Sequence, residues 1–376
     1  MALTRAFLNS QRYDEAKGGI NNTYKEPIIH NGDMNISQRG DLTGVNSAQY
    51  ISADRFFINM ENLGAFTFAA STDTPGFGFS KSLKIDCTTA KGSLDAGNNF
   101  YLSTQTEGQN LQMMRKGTAS AKTSTVAYWI KSNKTGNYVV ELWDRTNDRH
   151  VGKVATISSA DTWEKHVCNF PADTSGALAN TAARSIMISW AFDTGTDDSS
   201  GTLPSAWAGR TDANRFAGTN LRIGDSTDNE ILITGVQWEM GTYDSETMPP
   251  FQFEDAAVSL AKCQRYFISH TIADGTRLGD GIFRSTTRVL GNVDNTGLLH
   301  NMRATPSVAT TITSFQVYHG ADVTTNSAAT SGTGFAMSGT HEVRTDFTFS
   351  SGSTTAGLPG KLRANSAGAM QYDADL

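Results

Sequence analysis

Thr125-Val126-Ala127-Tyr128-Trp129-Ile130-Lys131 and, a few residues on, Tyr138-Val139-Val140-Glu141-Leu142-Trp143 decide the fold. Both runs are rich in β-branched and aromatic residues, follow a period of two, and end at Ser, Asn or Gly, which is how a strand packed on a core reads. The pattern recurs outward from this pair, at Tyr50–Ile58 on one side and at Ser185–Trp190 and Ile231–Glu239 on the other. No helix of ten residues or more breaks the series, so the long crossovers that a parallel sheet needs are missing. Many short strands at near-regular spacing predict an all-β chain, a sandwich or jelly roll.

The period changes at Glu254. Ala256, Leu260, Cys263 and Phe267 fall on one helical face, and strand patterns such as Phe315–Tyr318 and Val343–Phe349 follow. The predicted organisation is a jelly-roll domain over 28–253, a linker helix over 254–270 and a smaller C-terminal β-sandwich domain over 271–376. Residues 1–27 stand apart, with Leu3, Phe7 and Leu8 as an apolar pattern too short to hold a helix unaided. Composition agrees with this reading. Charged residues are only 18% and glycines number 35, a balance that favours turns and solvated strands over helices. The net charge of −6 argues against nucleic acid as a partner, since a phosphate backbone calls for a basic face. No apolar run is long enough for a bilayer, and the start lacks the apolar core of a secretory signal, so synthesis in the cytoplasm is expected. The three cysteines, Cys87, Cys168 and Cys263, are far apart and read as small buried hydrophobes, not a disulfide framework.

Catalytic motifs fail one by one, and none is predicted. His341-Glu342 opens like a zinc-protease helix, but the second histidine would fall on Thr345. Gly76–Ser82 has the glycines of a phosphate loop without the glycine before Lys81, and reads as a turn between strands. Asp225, Asp228 and Glu230 form an acidic cluster that reads first as a solvated turn, with calcium as the alternative; no other cofactor is expected. Of six tryptophans, most sit in strand patterns and read as core. Trp207 lies instead in the long segment Asp193–Asn220, beside Arg210 and Arg215. An aromatic face next to hydrogen-bond donors suits a sugar ring, which makes these three residues the expected glycan site, with burial of Trp207 in the core as the alternative.

Several segments together resemble one group of proteins. Ile29-His30-Asn31-Gly32-Asp33-Met34-Asn35-Ile36-Ser37-Gln38-Arg39-Gly40 and Ser52-Ala53-Asp54-Arg55-Phe56-Phe57 are similar to the opening of many bacteriophage and prophage virion appendage proteins. Thr234–Gly241, Pro250–Glu254 and Cys263-Gln264-Arg265-Tyr266-Phe267 resemble the segments that close a carbohydrate-module-like jelly roll in that group and start a linker helix. Arg303–Val308 and Asp373–Leu376 resemble its C-terminal β-domain, and Phe57 departs from the group, which usually has tryptophan there. The resemblance implies a tail fibre, head fibre, collar or capsid-decoration protein, made in the host bacterium and located in the virion. It implies a homotrimer, an N-terminal segment docked through Leu3, Phe7 and Leu8 onto capsid, portal, collar or tail proteins, and outward β-domains that touch host surface glycans. Two rival expectations are a polysaccharide-degrading tailspike, whose solenoid repeats this chain lacks, and a cement protein with no glycan role.

Overall fold

The structure, a computed structural model, describes residues 26–375 apart from 286–287, 294–301, 311, 313–314, 320–321, 328, 332–334, 338–342, 350–358 and 365–366. Its first part is built from β1 (Leu42–Val45), β2 (Gln49–Tyr50), β3 (Phe56–Glu61), β4 (Ala65–Ser71), β5 (Ser82–Thr89), β6 (Asn99–Glu107) and β7 (Ser124–Ser132). The strands β8 (Gly136–Asp144), β9 (Arg149–Ile157), β10 (Glu164–Phe170), β11 (Arg184–Thr194), β12 (Ala208–Gly209) and β13 (Glu230–Met240) complete it. They form two antiparallel sheets, ordered β1-β4-β5-β13-β7-β10 and β12-β9-β8-β11-β6-β3-β2. The all-β jelly-roll class expected from the strand patterns is what the chain adopts.

Alternation explains how the two sheets close on each other. Val126, Tyr128 and Ile130 of β7 face Tyr138, Val140 and Leu142 of β8 and Ile186, Ile188, Trp190 and Phe192 of β11 in one apolar core. Trp190, Trp238, Tyr128 and Tyr138 are all but inaccessible, and each such side chain contributes about 1.5–3 kcal/mol on full burial. Cys87 and Cys168 are free thiols in this core and Cys263 is a free thiol buried farther along the chain, so apolar burial and not a disulfide holds the fold.

The strand read as Tyr50–Ile58 is interrupted. Ser52–Arg55 make a turn between β2 and β3, with Arg55 at φ +74°. Asn31 Nδ2 donates to the Asp54 carbonyl at 2.9 Å, and the Gln38 amide donates to Asp54 Oδ1 at 3.0 Å. Those contacts from a distant segment override the local β pattern.

The second sheet is buried on both faces. The segment after β11 folds back over it, placing Leu203 and Phe216 on Tyr101, Val139, Met187 and Ala191. Beneath that cover Arg215 grips Glu141 at 2.8 Å, and His150 Nδ1 sits 2.9 Å from the same carboxylate. This explains why Ser185–Trp190 is buried at every position instead of at alternate ones.

After the jelly roll comes helix α1 (Ala256–Gln264), capped by Asp255, whose carboxylate accepts the Ala257 amide at 2.9 Å. The helix buries Ser259 and Cys263 while Ala256 is exposed, and Phe267 begins a strand, so α1 is shorter than 254–270 and its buried seam is turned from the expected one. Strands Phe267–Ile272, Gly368–Asp373 and Ser307–Thr310 then form a small antiparallel sheet. The other described strands between Arg277 and Ala364 form another, also antiparallel. No helix among the described residues is long and apolar enough to cross a membrane.

Candidate functional site

The outer face of the first sheet carries an aromatic groove of about 420 Å³. Its floor is set by register: Trp129 of β7 lies between Lys165 of β10 and Thr234 of β13, and Ala127 lies opposite Gln237. Because side chains alternate along a strand, the residues that put Tyr128 and Ile130 in the core put Trp129 outside, where it is half-buried. Two loops then wall the groove with phenylalanine. The tip between β4 and β5 supplies Phe77, 75% exposed and stacked on Trp129 with ring centroids 5.1 Å apart, and Phe79. The segment after β13 supplies Phe251 and Phe253, whose rings lie 5.0 Å from Phe79.

Gly235 makes this packing possible. It has φ +64° at an irregularity of β13, and a Cβ there would come within 2.7 Å of the Phe79 ring and 3.1 Å of Trp129. The tip is unusual as well, since Gly76, Phe77 and Gly78 all have positive φ. A bulky residue in that region is a conformational outlier and marks a side chain held in place against local preference.

Polar groups rim the aromatics. Beyond the groove lining, in the β4–β5 connection, Asp73 accepts from Lys131 Nζ at 2.7 Å and from Trp163 Nε1 at 2.9 Å, and these two bonds hold its carboxyl below the usual range. Gln237 Nε2 donates to the Pro249 carbonyl at 2.9 Å. Lys165 donates to the Ser245 carbonyl at 3.5 Å. The groove thus offers apolar ring faces bordered by an ammonium, an amide and a hydroxyl, and its lining holds no carboxylate.

The residues expected to bind glycan lie elsewhere. Trp207 is only 9% exposed, belongs to the core between the sheets, and donates Nε1 to the Pro171 carbonyl at 2.9 Å. Its segment is not a free loop, because Ala208–Gly209 pair with β9 and pull the indole inward. Arg215 is spent on Glu141, which with the other nearby acids holds the guanidinium's pKa above its ordinary value despite burial. Arg210 pairs with Asp212 and lies over the Trp143 ring at 4.3 Å. The three therefore do not form an exposed stacking site.

The calcium candidates are also engaged. Asp225 meets Lys134 at 2.5 Å, Glu230 meets Lys84 at 2.6 Å, and Asp228 bonds the Ser226 hydroxyl. Among the described residues no group of three or more metal-ligating side chains is assembled. Leu3, Phe7 and Leu8 lie outside the described residues, as does His341.

The motifs that carried the resemblance meet at a second place, the junction between the jelly roll and the C-terminal sheets. Arg39 pairs with Asp375 at 2.6 Å and with Asp373 at 3.2 Å, and its guanidinium lies 3.5 Å from the Phe267 ring centre. Arg55 reaches Asp375 at 3.2 Å and stacks on Tyr266 at 3.4 Å. Gln38 ties the Asp54 carboxylate to the Phe267 carbonyl, Arg265 grips the fully buried Glu107 by two bonds of 3.0 Å, and Arg303 donates to the Ala374 carbonyl at 3.1 Å. Six segments far apart in sequence thus build one clasp around Asp373–Asp375. Burial pushes the Asp54 carboxyl up to about 6 and, with Arg55, Lys262 and Arg265 nearby, lowers His30 to about 3.

The groove left two signals in the sequence. Pro75-Gly76-Phe77-Gly78-Phe79 places large apolar residues in a turn, where no strand burial accounts for them, and Pro250-Phe251-Gln252-Phe253 repeats the pattern. Trp129 gave none, because the two faces of a strand buried on one side look alike when both carry aromatics.

No protein-family model matches the chain, and no curated protein matches it in sequence. Among solved structures, the enzymatically active domain of tailspike protein 4 of bacteriophage CBA120 aligns with 57% of this chain at 10% identity and a TM-score of 0.28. The alignment takes in 21% of that protein, so this chain spans about a fifth of its length. A family 11 carbohydrate-binding module from Clostridium thermocellum, in complex with a mixed-linked tetrasaccharide, aligns with 55% of this chain and 98% of its own (8% identity, TM-score 0.27). A module solved with β-1,4-galactotriose gives 57% and 99% (8% identity, TM-score 0.28). At these values the likeness extends to the arrangement of strands already described and no further. What fold and groove define is an all-β jelly-roll protein with an open aromatic face.

Proposed function

We propose that this chain is a glycan-binding jelly-roll protein and that the groove of Phe77, Phe79, Trp129, Phe251 and Phe253 is where it holds a sugar. The observation that carries the reading is the stack of exposed Phe77 on half-buried Trp129 on the outer face of the first sheet. Burying so large an aromatic in the core is favourable, and a fold that leaves one 75% in water at a strained tip keeps it there for contact. A pyranose offers an apolar face and a rim of hydroxyls, which match the rings and the Lys165, Gln237 and Ser245 groups beside them. Binding is preferred over hydrolysis because glycoside cleavage needs a pair of carboxyl groups about the bond, and the groove lining has none.

The setting we propose is a bacteriophage virion, as a fibre, collar or capsid-decoration protein made in the host cytoplasm, assembled as a homotrimer and attached through residues 1–27. That part rests on the resemblance of residues 29–40, 52–57, 263–267 and 373–376 to virion appendage proteins. A glycan array holding neutral and uronic-acid oligosaccharides tests the binding reading. Wild type is expected to retain a set of related glycans and Trp129→Ala to lose them at unchanged melting temperature; an array blank for both proteins would exclude it. Immunolabelling of particles tests the virion setting separately.

A further inference from the structure

Lys116 is a lysine held almost entirely out of water, with its side chain 1% exposed. Its Nζ lies 2.5 Å from Asp144 Oδ2 and 2.9 Å from Asp173 Oδ2, two carboxylates whose side chains are 0% and 4% exposed. The ammonium also donates to the Gly176 carbonyl at 2.9 Å and to that of Ser175 at 3.2 Å, and the Trp207 ring closes one side at 4.9 Å. Asp144 is held in a set geometry. Its Oδ1 accepts the backbone amides of Thr146 and Asn147 at 3.0 and 3.1 Å, while Oδ2, the oxygen against the lysine, also accepts Asn147 Nδ2 at 2.8 Å. Asp173 is gripped by the Arg149 fork at 2.8 and 3.0 Å.

An amine fixed against a carboxyl group in a dry site is a reactant pair for amide formation. Such fixed pairs behave as if at about 10⁵–10⁸ M when the geometry is near attack. The two amides on Oδ1 point at the oxygen on which negative charge builds as nitrogen adds to the carboxyl carbon. Asp173 is within reach to carry protons, and although burial works the other way, Arg149 and Lys116 keep it in the ionised form that accepts them. The charges favour the product too. Once Lys116 and Asp144 are neutralised as an amide, Arg149 and Asp173 remain as a matched pair, with no buried charge left over.

We propose that Lys116 and Asp144 are joined by an isopeptide bond that the protein forms on itself. The Nζ–Cγ bond forms as the Cγ–Oδ2 bond breaks. Two of the three ammonium protons pass by way of Asp173 to Oδ2, which departs as water, and Asp173 ends as it began. No oxidant or co-reactant enters. The water would leave on the side of Lys116, which also lines a cavity with Arg115, Thr118 and Ser120. The bond ties the segment before β7 covalently to the end of β8, a staple suited to a β-protein under mechanical load and independent of the glycan reading.

The test is the intact mass of the full chain under denaturing conditions, with a tryptic map. Linked protein is 18 Da lighter than its sequence, and the map contains a branched peptide in which 116–122 is attached to 135–145. Lys116→Met is expected at full mass, and so is Asp173→Asn, which keeps the shape of the aspartate but accepts no proton. Wild type at full mass, with the two peptides separate, would overturn the proposal; so would an 18 Da deficit that persists in Lys116→Met, since that water would come from elsewhere. A linked Asp173→Asn protein would overturn the role given to Asp173.

Discussion

Trp207 and Trp129 are the same kind of residue in opposite service. Trp207 fills the core and satisfies its indole N–H on the Pro171 carbonyl, so Trp207→Ala is expected to cost about 3–5 kcal/mol in urea denaturation. Glycan affinity per folded molecule should be unchanged. Trp129→Ala reverses the pattern, with little loss of stability and loss of binding. His30 supplies a pH-dependent counterpart. Burial, then Arg55, Lys262 and Arg265, hold its folded pKa near 3 against 6.5 in the unfolded chain, so below about pH 6.5 the unfolded chain takes up a proton that the folded one refuses. Its contribution to stability is therefore lost as pH falls from about 6.5 toward 3, at up to about 1.4 kcal/mol per pH unit. Asp54, raised by burial to about 6, works in the other direction, so the quantity to measure is the difference between wild type and His30→Phe in chemical denaturation from pH 7 to 4. The variant should lose less stability on acidification. Sequence alone placed the tryptophan at 207 outside and the one at 129 inside. The reason is physical: the period of a strand says that faces differ, not which face the rest of the chain will cover.

At the scale of elements, β13 shows what local pattern conveys and what it hides. Ile231–Glu239 reads correctly as a strand, but the irregularity at Gly235 depends on the Phe79 and Trp129 rings lying over it, which no local signal carries. Gly235→Ala should strain the backbone by about 1–2 kcal/mol from its left-handed conformation alone. Its methyl would also push Phe79 out of the groove. The expected outcome is a lowered melting temperature together with weakened glycan retention, whereas Gly44→Ala, a positive-φ glycine with open space around it, should bear only the backbone part. The segment after β11 illustrates the converse. It reads as a loop because it lacks strand periodicity, yet it is the cover of the second sheet, with Phe216 fully buried and Arg215 closing on Glu141.

For the whole molecule, the order of the parts was legible, from jelly roll to helix to further strands, because periodicity changes at each boundary. How they are joined was not, since Arg39, Arg55, Arg265, Arg303 and Asp375 are polar residues without a period. Asp375→Ala leaves Arg39 and Arg55 short of their nearly buried partner, and removal of one member of such a pair costs about 3–5 kcal/mol. The loss should fall on the coupling between the two parts of the chain. Calorimetry is expected to show the C-terminal sheets melting ahead of the jelly roll in the variant and together with it in the wild type. The central claim, that the aromatic groove on the outer face of the first sheet binds sugar through stacked rings, is tested most directly by titrating the preferred array glycan into wild type, Phe77→Ala and Trp129→Ala at matched folded fraction. Loss of about 1–3 kcal/mol of binding free energy in each variant, as expected for removal of a ring stacked on a ligand, is the predicted result. Affinities equal to wild type in both variants would contradict it.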